Sequence, residues 1–114
     1  MLTIESLRGY GANVDEGLSR CMGNETLYLK LVNTMCDDKS FDIMAEAIDN
    51  KDYKTAFERA HALKGAVGNL SLSPLYEEIS ELTEALRKQE DGDYSQLLQQ
   101  VLEDKERLVA LKSG

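Results

Sequence analysis

The chain contains one histidine, His61, and its neighbours give it an unusual setting. On a helix, Lys64, Gly65 and Gly68 follow at i+3, i+4 and i+7 and share its face. Each mid-helix glycine costs about 1 kcal/mol relative to alanine. A glycine kept inside a helix marks a place where something comes close to the backbone. Gly65 and Gly68 strip side chains from the surface beside the imidazole, leaving it clear with a lysine one turn away. A neutral imidazole is a good nucleophile near neutral pH, because its reference pKa is about 6.5. A cation at Lys64 disfavours ring protonation and pairs with phosphoryl oxygens. Phosphoryl transfer passes through a loose, in-line transition state that needs access and charge compensation more than covalent machinery. The arrangement therefore suits a histidine that accepts a phosphoryl group and hands it on, with Gly65 providing clearance.

The parts that are missing narrow this further. There is no glycine-rich phosphate loop and no paired-carboxylate magnesium site, so neither ATP binding nor self-phosphorylation is expected. Donor, acceptor and metal must come from a partner docking over the glycines. A single histidine excludes a multi-histidine metal centre, and no metal site is expected in the chain itself. A serine hydrolase lacks its Gly-x-Ser-x-Gly elbow and any strand to carry it. The net charge of −8, from 13 basic and 21 acidic residues, repels nucleic-acid backbones. Apolar runs are too short to span a membrane, and no secretory signal is visible at the start. The expected location is the cytoplasm, with Cys21 and Cys36 as reduced, buried thiols. Against the acidic whole, residues 51–64 carry Lys51, Lys54, Arg59 and Lys64 but only Asp52 and Glu58 as carboxylates. A locally positive patch steers an acidic, phosphorylated pocket towards it. Lys54, Phe57, Glu58 and Gly68 lie along the His61 edge and are the candidate partner contacts, although a residue such as Phe57 is more often a core-edge residue than a docking contact.

These residues need a helix to hold them, and the punctuation of the chain supplies several. Residues 2–7 form a short turn or two ended by Gly9 and Gly11. Asn13 caps a helix in a capping-box arrangement with Glu16, and Gly23 suits its stop. Asn24 caps the next helix, with Leu27, Leu31 and Met35 as its apolar line and Tyr28 and Val32 widening it. Phe41, Met44 and Ile48 resume the period after Asp37-Asp38-Lys39-Ser40, which predicts one long, bent helix. Asp52 caps the helix that carries His61; its seam, Ala56, Ala60, Leu63, Val67 and Leu70, alternates steps of four and three. Ser73 as N-cap with Pro74 at the first helical position opens another, buried through Leu75, Ile79, Leu82 and Leu86. Asp93 caps the last, whose apolar set runs from Tyr94 through Leu97, Leu98, Val101, Leu102 and Leu108 to Leu111. No stretch alternates at period two. Short connections make neighbouring helices antiparallel. The expectation is one all-α domain over residues 1–114, an up-down-up-down antiparallel four-helix bundle with a short extra N-terminal helix. Its self-contained helical pattern suggests a monomer, and the initial Met without linkers suggests a free-standing protein.

Ala60-His61-Ala62-Leu63-Lys64-Gly65 resembles the signature of histidine-containing phosphotransfer (HPt) domains of two-component phosphorelays. Gly23-Asn24-Glu25 before Leu27-Tyr28-Leu29 is similar to the family's second-helix entry. Asp52 to Leu63 is similar to its approach to the histidine, and Asn69-Leu70 to the end of its motif. The likeness covers most of residues 13–112. It departs at Ser71, where the family often has glycine, and at Gly68, where alanine or serine is more usual. The resemblance implies that His61 is phosphorylated, that Lys64 contacts the phosphoryl group and that Gly65 gives clearance. It implies as partners a response-regulator receiver domain, which brings the aspartate and Mg²⁺, and a hybrid histidine kinase. The competing reading is a helical adaptor that binds receiver domains without chemistry; the joint presence of His61, Lys64 and Gly65 favours the carrier.

Overall fold

The computed structural model describes residues 1–113, and the regular structure among them is entirely α-helical. In chain order come α1 (Ile4–Tyr10), α2 (Val14–Arg20), α3 (Glu25–Cys36), α4 (Ser40–Asp49), α5 (Tyr53–Asn69), α6 (Ser73–Leu86) and α7 (Ser95–Ala110). The main packing follows the chain: α4 on α5, α5 on α6 and α6 on α7. α5 thus lies between α4 and α6, and its seam, Ala56, Ala60, Leu63 and Val67, is buried. Leu75, Ile79, Leu82 and Leu86 of α6 are fully buried beside it. Among the described residues no helix is long and apolar enough to cross a membrane. Both thiols are free and buried, and burial pushes the Cys36 thiol above its usual pKa.

The N-terminal part holds the two short helices that its punctuation suggests, α1 and α2, one more than the single extra helix of the expected bundle. They divide where Gly11 takes φ 111°, a conformation that suits glycine. Residues 24–49 are likewise two helices, not one long bent one. The Asp38 carboxylate accepts the Ser40 N–H at 2.8 Å, starting α4 afresh, while the Asp37 N–H closes α3 onto Thr34.

The buried face of α3 is shifted by one residue from the Leu27, Leu31, Met35 line. Tyr28, Val32, Met35 and Cys36 face the core, and Leu27 and Leu31 are each 40% exposed. The cause lies in other helices. Gly17 of α2 leaves room for the Tyr28 ring; a Cβ there would stand 2.5 Å from Cε1. The Tyr28 hydroxyl then donates to the Leu70 carbonyl at 2.8 Å.

Two caps move as well. Ser73 is the first residue of α6 and makes no capping bond, because Leu72 occupies the cap position with Pro74 in the first turn. Asp93 still serves α7, accepting from the Ser95 N–H at 3.0 Å and its hydroxyl at 2.6 Å, but Tyr94 occupies the cap. By contrast, Asp52 accepts the Thr55 N–H at 3.2 Å and Asn24 the Leu27 N–H at 3.0 Å, as the sequence predicts.

Candidate functional site

α5 runs unbroken through both glycines. Its seam faces the core, so the residues beside the seam are turned outward. His61 and Gly65 are exposed, and Lys64 and Gly68 are half-buried. All four line one groove of about 490 Å³, together with Asn69, Ser71, Ser73 and Tyr76 and with Glu16 and Arg20 of α2.

The two glycines play different parts. A Cβ at Gly65 would meet nothing within 4 Å. Packing within the chain therefore makes no steric demand for glycine at this position. A Cβ at Gly68 would stand 2.9 Å from Cε1 and 3.1 Å from Cδ1 of Tyr76. Gly68 thus admits the Tyr76 ring of α6 to the backbone of α5, an internal reason for its small size.

The imidazole has no hydrogen-bond partner among the described residues. Its ring stacks on Phe57 one turn earlier, with centroids 5.9 Å apart and planes 19° from parallel. The guanidinium of Arg87, the residue that caps the end of α6, lies 5.6 Å from the Phe57 centroid. Glu84 holds that guanidinium through two bonds, from Nη2 at 2.7 Å and from Nε at 3.1 Å. The hydrogen bond from Arg87 keeps the Glu84 carboxyl below its usual pKa, and the nearby charges of Arg87 and Lys64 add to this. Lys64 therefore sits within the electrostatic reach of Glu84.

The far end of the groove is a polar cluster that ties α2 to the end of α5. Glu16 Oε1 accepts from Arg20 Nη2 and from the Ser71 hydroxyl, each at 3.1 Å. Arg20 Nη1 reaches Asn69 Oδ1 at 3.4 Å. Asn13 accepts the Glu16 N–H at 3.3 Å, but its own N–H goes to the Ser71 carbonyl at 2.9 Å. The predicted capping box is therefore half made: the Asn13 side-chain amide, not its backbone, donates to Glu16 Oε2 at 3.2 Å, while Oε1 serves the groove. Ser71 itself has φ 54°, the left-handed region that favours glycine. The departure from the family pattern thus falls where the backbone still has the glycine-type conformation, with Glu16 and Asn13 holding it.

The structure brings His61, Lys64, Gly65 and Gly68 together in the groove and Phe57 against the imidazole. Lys54 and Glu58 are exposed on α5 but outside the groove lining. Sequence reasoning missed Arg20, Asn69 and Tyr76 in the groove and the Glu84–Arg87 pair beside Phe57. The only local signals were Glu16 and Arg20 at i+4 and Glu84 and Arg87 at i+3, ordinary spacings for surface ion pairs. Among the described residues no group of three potential metal ligands occurs.

The family model for the Hpt domain matches residues 33–111, from within α3 to the end of α7. No curated protein and no solved structure matched the chain. The match spans the whole of α5 with the exposed His61, the adjoining lysine and the open surface at Gly65. The chain belongs to the Hpt domain family, whose members carry out histidine phosphotransfer in two-component phosphorelays and work with receiver domains and kinases.

Proposed function

We propose that this chain carries a phosphoryl group on His61 between receiver-domain aspartates, or from a hybrid histidine kinase to a response regulator. The observation that carries this is the exposed imidazole beside Gly65, whose missing side chain leaves open space. A ring nitrogen attacks the phosphorus of an aspartyl phosphate, the N–P bond forms as the acyl O–P bond breaks, and the aspartate leaves as carboxylate. Return to a second aspartate reverses these steps. Lys64 compensates charge on the phosphoryl oxygens. Gly65 provides the clearance that in-line approach needs. Lys54, Phe57, Glu58 and Gly68 form the surrounding docking surface, and the positive stretch 51–64 steers the partner's acidic pocket. Mg²⁺ arrives with the receiver domain, and the chain has no kinase or phosphatase activity of its own. In this reading α4 to α7 form an up-down-up-down antiparallel four-helix bundle, one domain over residues 1–114, working as a cytoplasmic monomer.

The test is incubation with a phosphorylated receiver domain, followed by acid and base treatment of the labelled chain. Wild type takes up acid-labile, base-stable phosphate, and His61→Gln takes up none. Label that persists in His61→Gln removes the assignment. A wild type that binds the receiver but never labels is the adaptor.

A further inference from the structure

We propose that Phe57, held by Arg87, is a positioning residue that fixes the His61 imidazole for transfer; the inference rests on His61 being the phosphoacceptor. An exposed histidine on a helix has a broad second torsion and several open rotamers. In-line transfer needs the ring nitrogen at one angle, so freedom of the ring subtracts from the rate. Side chains on a helix lean towards its N-terminus, which carries His61 back onto the residue four positions earlier. That residue is Phe57, and the two rings lie 5.9 Å apart at 19°. Among the described residues, no hydrogen bond restrains the imidazole, which leaves the stack as its restraint.

Phe57 is itself held. It is half-buried and packs against the core, and the Arg87 guanidinium lies 5.6 Å from its centroid. The two hydrogen bonds that Arg87 donates to Glu84 hold that guanidinium in turn. The chain of contacts thus runs Glu84, Arg87, Phe57, His61. It lets α6 set the pose of a ring on α5 without touching it. The stack covers part of the ring's surface and leaves its nitrogens free of partners.

Aromatic pairs of this kind bias a conformer by a factor of about three to ten. The test uses the full chain with phosphoramidate, from which imidazole takes the phosphoryl group as the P–N bond breaks and ammonia leaves. In Phe57→Leu the maximal labelling rate falls about threefold to tenfold while half-saturation stays within about twofold. Phe57→Tyr, which keeps the ring, restores the rate. Proton NMR gives the second readout: the wild-type His61 ring protons are shifted upfield by Phe57, and Phe57→Leu returns them to ordinary positions. Arg87→Gln, a surface change, lowers the rate about twofold and moves the same protons partway; it carries the test should the leucine variant not fold. A wild-type maximal rate in Phe57→Leu, a loss not rescued by tyrosine, or unshifted ring protons in wild type overturns the proposal. If wild type accepts no phosphoryl group, the carrier reading fails, and the ring shifts still decide the stack.

Discussion

Replacing Gly65 with alanine separates what the fold needs from what a visitor needs. Glycine in a helix interior costs about 1 kcal/mol relative to alanine. The new Cβ meets no atom within 4 Å, so nothing in the folded chain opposes that gain. Unfolding entropy is about 2.1 cal/mol/K per residue, so over 114 residues a stabilisation of about 1 kcal/mol raises Tm by about 4 °C. The same substitution at Gly68 gives a different balance. There the Cβ would lie 2.9 Å from the Tyr76 ring, and the helix gain is spent on displacing it. Tyr76 is 37% exposed and can turn aside, so the net change at Gly68 is within about 1 kcal/mol of zero. Thermal unfolding of both variants by circular dichroism checks the stabilities, with labelling from a phosphorylated receiver domain run in parallel. Gly65→Ala melts higher and transfers more slowly, and Gly65→Leu, also a better helix former than glycine, melts above wild type but blocks transfer. A Gly65→Ala variant that melts at or below wild type refutes the claim that this glycine serves something outside the fold. A Gly65→Leu variant with wild-type transfer refutes clearance as the reason.

Gly17→Ala drives a methyl into the buried Tyr28 ring, whose Cε1 would stand 2.5 Å away. Overpacking and loss of the bond to Leu70 together cost about 2–4 kcal/mol, measurable as a lower urea midpoint; an unchanged midpoint would contradict the packing account. Ser71→Ala keeps the strained φ of 54° and loses the bond to Glu16, whereas Ser71→Gly loses the bond but relieves the strain. The glycine variant is therefore about 1 kcal/mol more stable than the alanine variant, and equal stabilities would remove the strain argument. Burial pushes the Tyr28 hydroxyl up to about 12 and that of Tyr10 higher still. Both phenols are raised in the folded state, so their contribution is intact below the unfolded value of about 10 and declines above it. Stability falls between about pH 10 and 12, by up to about 1.4 kcal/mol per pH unit for each tyrosine, and Tyr28→Phe flattens that slope. An identical slope in Tyr28→Phe would show that Tyr28 is not the group responsible.

α5 and α6 were legible in the sequence because their buried residues repeat at three and four without a rival. Asp52, Asn24 and Asn13 announced their helices because a cap is a local interaction. α3 was legible only in part, Tyr28, Val32 and Met35 lying in the core and Leu27 and Leu31 outside it, because it carries two candidate faces, Leu27–Leu31 and Tyr28–Val32, at the same spacing. The choice between them is made by Gly17 and the Leu70 carbonyl, residues of other elements. The break at Asp37–Lys39 was visible as an interruption, but only the Asp38–Ser40 bond turns it into a boundary. At the site, His61, Lys64, Gly65 and Gly68 were legible because one helix face carries them all. Arg20, Tyr76 and the Glu84–Arg87 pair come from α2, α6 and the cap of α6, and no periodicity along α5 can predict what neighbouring helices bring to its side.

The C-terminal end of α5 is secured by residues that precede the segment matched by the family model. The Leu70 carbonyl is satisfied by Tyr28, the Ser71 carbonyl by Asn13 and the Ser71 hydroxyl by Glu16. A chain trimmed to 33–111 would take the Tyr28 hydroxyl from the Leu70 carbonyl, the Asn13 N–H from the Ser71 carbonyl and the Glu16 carboxylate from the Ser71 hydroxyl, and would remove the buried Tyr28 ring. The first thirty-two residues are therefore a splint for the helix that bears the histidine, and cutting the protein at the limits of the family match would fray the groove from the end opposite the imidazole.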